Sequence, residues 1–334
     1  MHRRVALLSV VTLALGGALL PVGAAQAQAA SPQRAPKPAA KAAADSPAEQ
    51  KTVLRYWTPQ KMEAAQPLAA PTPRQGARTD VADEPTAGVP STTQGTGPTS
   101  ARAQAANSPG APWTGGGTVT RTTGRVFFTY QGRNSSCSGS AVSSANKSVV
   151  MTAGHCVKLG GAFHTNWVFV PGYANGNRPH GTWVAGRLLT TPQWNASEDI
   201  DFDIAAAVVA PLEGRTLVDA VGGQGVAFNQ ARRQQMYAFG YPAAAPYDGS
   251  KLIYCAGRAF DDFLMSRDHG LTCNMTGGSS GGPWFRNFDE STGIGTLNSV
   301  NSFKYNFAPN WMFGPYFGNE AQAVYQAAQS AGTL

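Results

Sequence analysis

From about residue 113 onward, short apolar runs alternate with turn residues. The runs 125–130, 139–142, 148–152, 167–171, 204–209 and 235–239 are bounded by Gly, Asn, Ser and Pro clusters. Runs of this length and spacing predict β-strands in an all-β sandwich or barrel, not βαβ units. One helix is predicted, at the end of the chain, where 320–330 is rich in Ala and Gln and Asn319 stands as its cap.

The front of the chain has a different texture. Arg3 and Arg4 precede a mostly apolar run from Val5 to Leu20, and Ala25-Gln26-Ala27 or Ala27-Gln28-Ala29 offers a small-residue cleavage site. This pattern predicts an export signal over 1–29. The run is short for a membrane anchor and no basic residues directly follow it, so no membrane association is expected once the signal is removed. Residues 30–110 are dominated by Ala, Pro, Thr, Gln and Ser. Such a segment cannot bury enough apolar surface to offset its ordering entropy, which predicts a largely disordered leader ahead of a folded domain at 111–334. One island, 53–65, contains Val53, Tyr56, Trp57 and Met62, and Thr58-Pro59 is a helix start. It is either a docking element for the rest of the chain or a chance cluster in a linker.

Charge follows the same division. Residues 1–110 hold 11 Lys and Arg against 6 Asp and Glu, and the remainder 15 against 13. The basic excess belongs to the leader, so a nucleic-acid partner is not implied. The four cysteines, Cys137, Cys156, Cys255 and Cys273, all lie in the folded part. Export favours disulfides, and proximity along the chain favours Cys137–Cys156 and Cys255–Cys273 among three possible pairings. No zinc-type spacing occurs, and neither metal nor cofactor is expected; the alternative is a calcium ion on the local acids Glu198, Asp199 and Asp201, whose spacing matches no EF-hand loop.

Three segments carry candidate chemistry. Hydrolysis of an amide or ester through a serine needs an exposed hydroxyl on a tight turn, a histidine base and a buried carboxylate that orients the histidine. Gly278-Ser279-Ser280-Gly281-Gly282-Pro283 suits the turn, with the N–H groups of Gly278 and Ser280 as an oxyanion hole. Thr152-Ala153-Gly154-His155-Cys156 places a histidine at the end of an apolar strand, and Asp203-Ile204-Ala205 a carboxylate at the mouth of another. Asp201 is the alternative carboxylate. Order along the chain selects among folds. No histidine follows Ser280, which excludes the nucleophile elbow of α/β-hydrolases; only leader aspartates precede His155, and the formally possible subtilisin order of Asp199, Asp201 or Asp203 before His269 lacks, at His269, the strand and glycine setting of His155.

His155, Asp203 and Ser280, in that order and in those contexts, resemble the trypsin/chymotrypsin superfamily. The setting Asn274-Met275-Thr276-Gly277-Gly278-Ser279-Ser280 is most similar to secreted bacterial glutamyl-endopeptidase-like members. The resemblance implies two antiparallel six-stranded β-barrels with a C-terminal helix. His155 and Asp203 would then come from the first barrel, Ser280 from the second, and Cys137 and Cys156 would match the family's disulfide. It implies a secreted serine endopeptidase acting on protein or peptide substrates and made with its own propeptide. A silent binding homologue on the same scaffold, or an esterase, are the alternatives. Ser279 replaces the aspartate that digestive members use for activation, and Asn274 replaces the aspartate of trypsin-like pockets. Asn301 stands where glutamate-specific members carry a histidine, leaving Asn274, Ser302 and Lys304 as the expected pocket residues.

Overall fold

The hairpin 123–142 shows how the sequence builds the first half of the fold. Strand Thr123–Tyr130 pairs antiparallel with Arg133–Val142, with Tyr130 opposite Arg133. The connecting residues Gln131 and Gly132 both have positive φ, 47° and 76°. This conformation matches the twist of the strands it joins.

The computed structural model describes residues 37–68, 71–73, 84–97 and 107–333. The expected export signal lies outside these residues. Among the described residues no helix is long and apolar enough to cross a membrane. Six antiparallel strands close into a barrel in the order 183–190, 165–171, 123–130, 133–142, 149–152, 205–209 and back to 183–190. The second half is barrel-like. It consists of a seven-stranded sheet (91–93, 225–228, 294–300, 283–289, 235–240, 253–258, 108–112) and a three-stranded sheet (260–261, 269–272, 311–314). Disulfides join Cys137 to Cys156 and Cys255 to Cys273.

The terminal helix spans Asn319–Gln329 and buries Ala321, Val324, Tyr325 and Ala328 in the main core. Its cap is Gly318, without a side-chain bond, in place of the expected Asn319. The Asn319 carboxamide is engaged elsewhere, accepting from Asn229 Nδ2 at 3.0 Å.

Parts of the polar leader are ordered onto the fold. Ala39–Ala42 adds an antiparallel strand against residues 187–190, an edge that strand 165–171 leaves free. Ser46 caps helix Pro47–Tyr56 with a reciprocal Glu49 bond, and Thr58 caps Pro59–Glu63 as the sequence predicted. The aromatic island explains the ordering. Strand side chains alternate between faces. Val126, Phe128, Trp167 and Phe169 fill the main core, while Phe127, Val168, Val170 and Val184 form a second cluster with Val53, Trp57 and Met62 of the leader. Trp57 is 2% exposed, and its Nε1 donates to the Asn166 carbonyl at 2.5 Å. The average composition of 30–110 hides these few residues, which bury enough apolar surface to hold the segment.

Trp57→Ala, in a chain carrying Ser280→Ala to suppress any self-cleavage, removes this anchor at a cost of about 3 kcal/mol or more in leader docking. Hydrogen exchange should rise across 37–68 while strands 123–142 stay protected; equal exposure of both would show that the leader is not a separately docked layer.

Candidate active site

Strand register brings the histidine and the carboxylate together. Thr152 pairs with Ala205, so His155, three residues after one, and Asp203, two residues before the other, emerge at the same end of adjacent strands. After Thr152 the chain turns through Gly154–Cys156, where Gly154 is required by close packing. A Cβ there would lie 2.7 Å from the Trp194 ring. Asp203 follows the turn Ile200–Phe202. Its Oδ2 meets His155 Nδ1 at 2.7 Å and its Oδ1 accepts from the His155 backbone N–H at 2.7 Å. Ser302 Oγ donates to Oδ2 at 2.5 Å. Both His155 and Asp203 are fully buried, and His155 Nε2 has no hydrogen-bond partner among the described residues.

The serine turn presses on the same strand ends. The Ser138 N–H donates to the Ser280 carbonyl at 2.7 Å, and Thr152 Oγ1 donates to the Ser138 carbonyl at 2.8 Å. Gly281 (φ 76°) lies so close that a Cβ would stand 2.0 Å from Thr152 Oγ1. Gly278 has φ 94°, a region that favours glycine. The Gly277 carbonyl accepts from Ala243 N–H (2.7 Å) and Ala244 N–H (3.2 Å), while Asn301 Nδ2 donates to the Ser279 carbonyl at 3.0 Å. Among the described residues, neither the Gly278 nor the Ser280 N–H has an acceptor. Ser280 is 3% exposed.

The other expected residues are placed as follows. Asn274 accepts from the Tyr247 hydroxyl at 2.6 Å. Lys304 donates to the Pro309 carbonyl, and burial lowers its pKa to about 8. Ser302, expected in the pocket, bonds to Asp203. Asp201, the alternative carboxylate, accepts from the Arg267 N–H at 2.7 Å. Glu198 accepts from Gly161 N–H and Asp199 from Asp201 N–H, so the three acids of the calcium alternative serve separate backbone amides. The His155 ring has the Cys137 and Cys156 sulfurs for neighbours, and both are consumed in the disulfide.

Electrostatics separate the remaining titratable groups from the chemistry. Burial lowers His164 to about 4, and its Nε2–H donates to the His155 carbonyl at 2.8 Å. Burial lowers His269 to about 3. Asp268 is fully buried, and neither of its oxygens has a hydrogen-bond partner among the described residues; burial, then Asp201 and Asp203, push its pKa well up. Sequence reasoning missed Ser138 and Asn301 as organisers of the turn. The available signal was four serines, Ser135, Ser136, Ser138 and Ser140, in one buried strand.

Comparison with known proteins bears on this arrangement. The crystal structure of protease Anisep from Arthrobacter nicotinovorans is 45% identical, matching 64% of this chain and 98% of that protease with a TM-score of 0.61. A thermostable serine protease AL20 from an extremophilic microorganism is 44% identical, over 64% of this chain and 100% of that one, also at 0.61. A Glu endopeptidase, 14% identical with a TM-score of 0.51, shares the fold. No family model and no curated protein matches the chain. The chain belongs to the serine proteases of the chymotrypsin fold.

Asp201 gives a pH prediction. Burial raises its folded pKa from 3.8 to about 7, opposed by the Arg267 N–H bond and reinforced by Asp199. The folded state therefore binds the extra proton between these values, and stability falls as pH rises from about 4 through 7. Thermal unfolding of Asp201→Asn, in the Ser280→Ala background, should lose part of that decline; an unchanged slope would assign it to other groups.

Proposed function

We propose that this protease is a serine endopeptidase exported as a precursor, with Ser280 as nucleophile, His155 as base and then acid, and Asp203 as the orienting carboxylate. The observation that carries the reading is the pair of Asp203 bonds to the ring and backbone of His155. They fix the Nδ1–H tautomer and leave Nε2 free to take the serine proton. The unengaged N–H groups of Gly278 and Ser280 supply the oxyanion donors. Attack on the scissile carbonyl forms a tetrahedral intermediate. His155 then protonates the departing amine, and water hydrolyses the acyl-enzyme through the same histidine. Asn274 offers no negative charge, so a Lys or Arg preference is not expected.

The leader acts as a propeptide. Gln66–Pro67 runs parallel to Ser135–Ser136, the Leu68 N–H donates to the Ser136 carbonyl at 3.1 Å, and Leu68 lies beside Gly277. These contacts set the leader beside the serine turn, where His155 is fully buried and Ser280 3% exposed. Two disulfides and the signal-like start agree with an extracellular site of action.

Ser280→Ala or His155→Ala should lower turnover of a labelled protein substrate by about 10⁴–10⁶-fold, and Asp203→Asn by about 10⁴-fold, with Ser280→Ala also losing fluorophosphonate labelling. Retained activity in Ser280→Ala would overturn the assignment. N-terminal sequencing of secreted, active protein should find the leader removed; full activity with an N-terminus near residue 30 would remove the propeptide from the reading.

A further inference from the structure

The digestive members' activation aspartate is absent at Ser279, yet the oxyanion turn is already shaped. The origin of that shape lies on the opposite side of the seam between the two halves. Ser138, wholly buried on strand Arg133–Val142, uses every polar atom across or along that seam. Its Oγ donates to the Gly278 carbonyl at 2.9 Å and accepts from the Tyr241 N–H at 2.9 Å. Its N–H holds the Ser280 carbonyl, and its own carbonyl accepts from Thr152 Oγ1.

We infer that Ser138 is a positioning residue for the oxyanion hole, whose hydroxyl replaces a maturation-dependent latch with a permanent one. The inference rests on the reading of Ser280 as nucleophile and Gly278 as oxyanion donor. An N–H and the carbonyl of the same trans peptide point in opposite directions. Ala243 and Ala244 fix the Gly277 carbonyl, which aims the Gly278 N–H the other way. That aim survives only if Gly278 cannot rotate, and glycine at φ 94° has few steric restraints of its own. The Ser138 hydroxyl supplies the missing restraint by holding the next carbonyl. Through its N–H, the same residue holds the carbonyl of Ser280, whose N–H is the second donor. Both donors are thereby referred to one rigid strand. The Cys137–Cys156 disulfide and the bond to Thr152 tie that strand to the segment bearing His155. Removing the hydroxyl leaves the Gly278 carbonyl and the Tyr241 N–H without their partner and frees the turn.

The test compares Ser138→Ala, Ser138→Thr and Ser280→Ala, each expressed as the full chain and assayed after maturation, with the N-terminus checked by mass and folding by circular dichroism. The probe is p-nitrophenyl acetate, with acylation followed in single turnovers to separate the rate constant from ester binding. Ser138→Ala should slow acylation about ten- to a hundredfold, with ester binding changed less than twofold and the midpoint of the pH–rate profile unmoved, because the bonds to His155 remain. Ser138→Thr, which keeps the hydroxyl, should recover most of the rate. A Ser138→Ala rate within twofold of the parent overturns the inference, as does a loss confined to ester binding, a shifted pH midpoint, or folded Ser138→Thr as slow as Ser138→Ala. If Ser138→Ala does not fold, the Ser138→Thr rate alone decides. Ser280→Ala separates the two levels. Activity in that variant removes the nucleophile assignment itself, whereas an inert Ser280→Ala beside a fully active Ser138→Ala removes only the role of Ser138.

Discussion

The carboxylate of Asp203 has no contact with water and is satisfied by three hydrogen bonds from protein. A buried charge without such partners is strongly disfavoured. Its three donors are the His155 backbone N–H, the His155 ring and the Ser302 hydroxyl. Two belong to the first barrel and one to the segment after strand Ile294–Val300, so a single carboxylate commits both halves of the fold to one relative placement. The antiparallel register of 149–152 with 205–209, the turn at Gly154 and the seam around Ser138 are all compatible with that placement.

Local signals were the most legible in the sequence. The strand leading into His155, the turn around Ser280 and the Thr58-Pro59 helix start each declare themselves within a few residues, because their causes are local: apolar alternation, glycine freedom and capping. The order of His155, Asp203 and Ser280 added a constraint that pattern alone could not. What stayed hidden depended on partners distant in sequence. Ser138 resembles any small polar strand residue until the strand is known to face Gly278 and Tyr241. The bond of the Ser302 hydroxyl to Asp203 joins residues 99 positions apart and is likewise invisible until the two segments meet. Asn319 has the chemistry of a cap and was diverted by Asn229.

The leader illustrates the same limit from the opposite direction. Averaged over 30–110, its composition argues for disorder, and a handful of residues reverses that over 37–68. Strands 123–130, 165–171 and 183–190 carry apolar side chains on both faces, which a barrel surrounded by water has no use for. The second face is matched to Val53, Trp57 and Met62. The unbroken apolar runs of these barrel strands therefore encode a partner, and that partner is the chain's own front.

On the proposed reading, this two-faced packing changes what cleavage between leader and barrel would accomplish. Hydrolysis of the connecting peptide leaves every contact of Trp57 in place and alters only the tether. A contact held at high effective concentration becomes an ordinary bimolecular association, governed by dilution and by destruction of the free leader. On the proposed reading, the onset of activity is then set by how quickly the severed leader is lost from its surroundings, and crowding the protein at its point of export would keep it quiet.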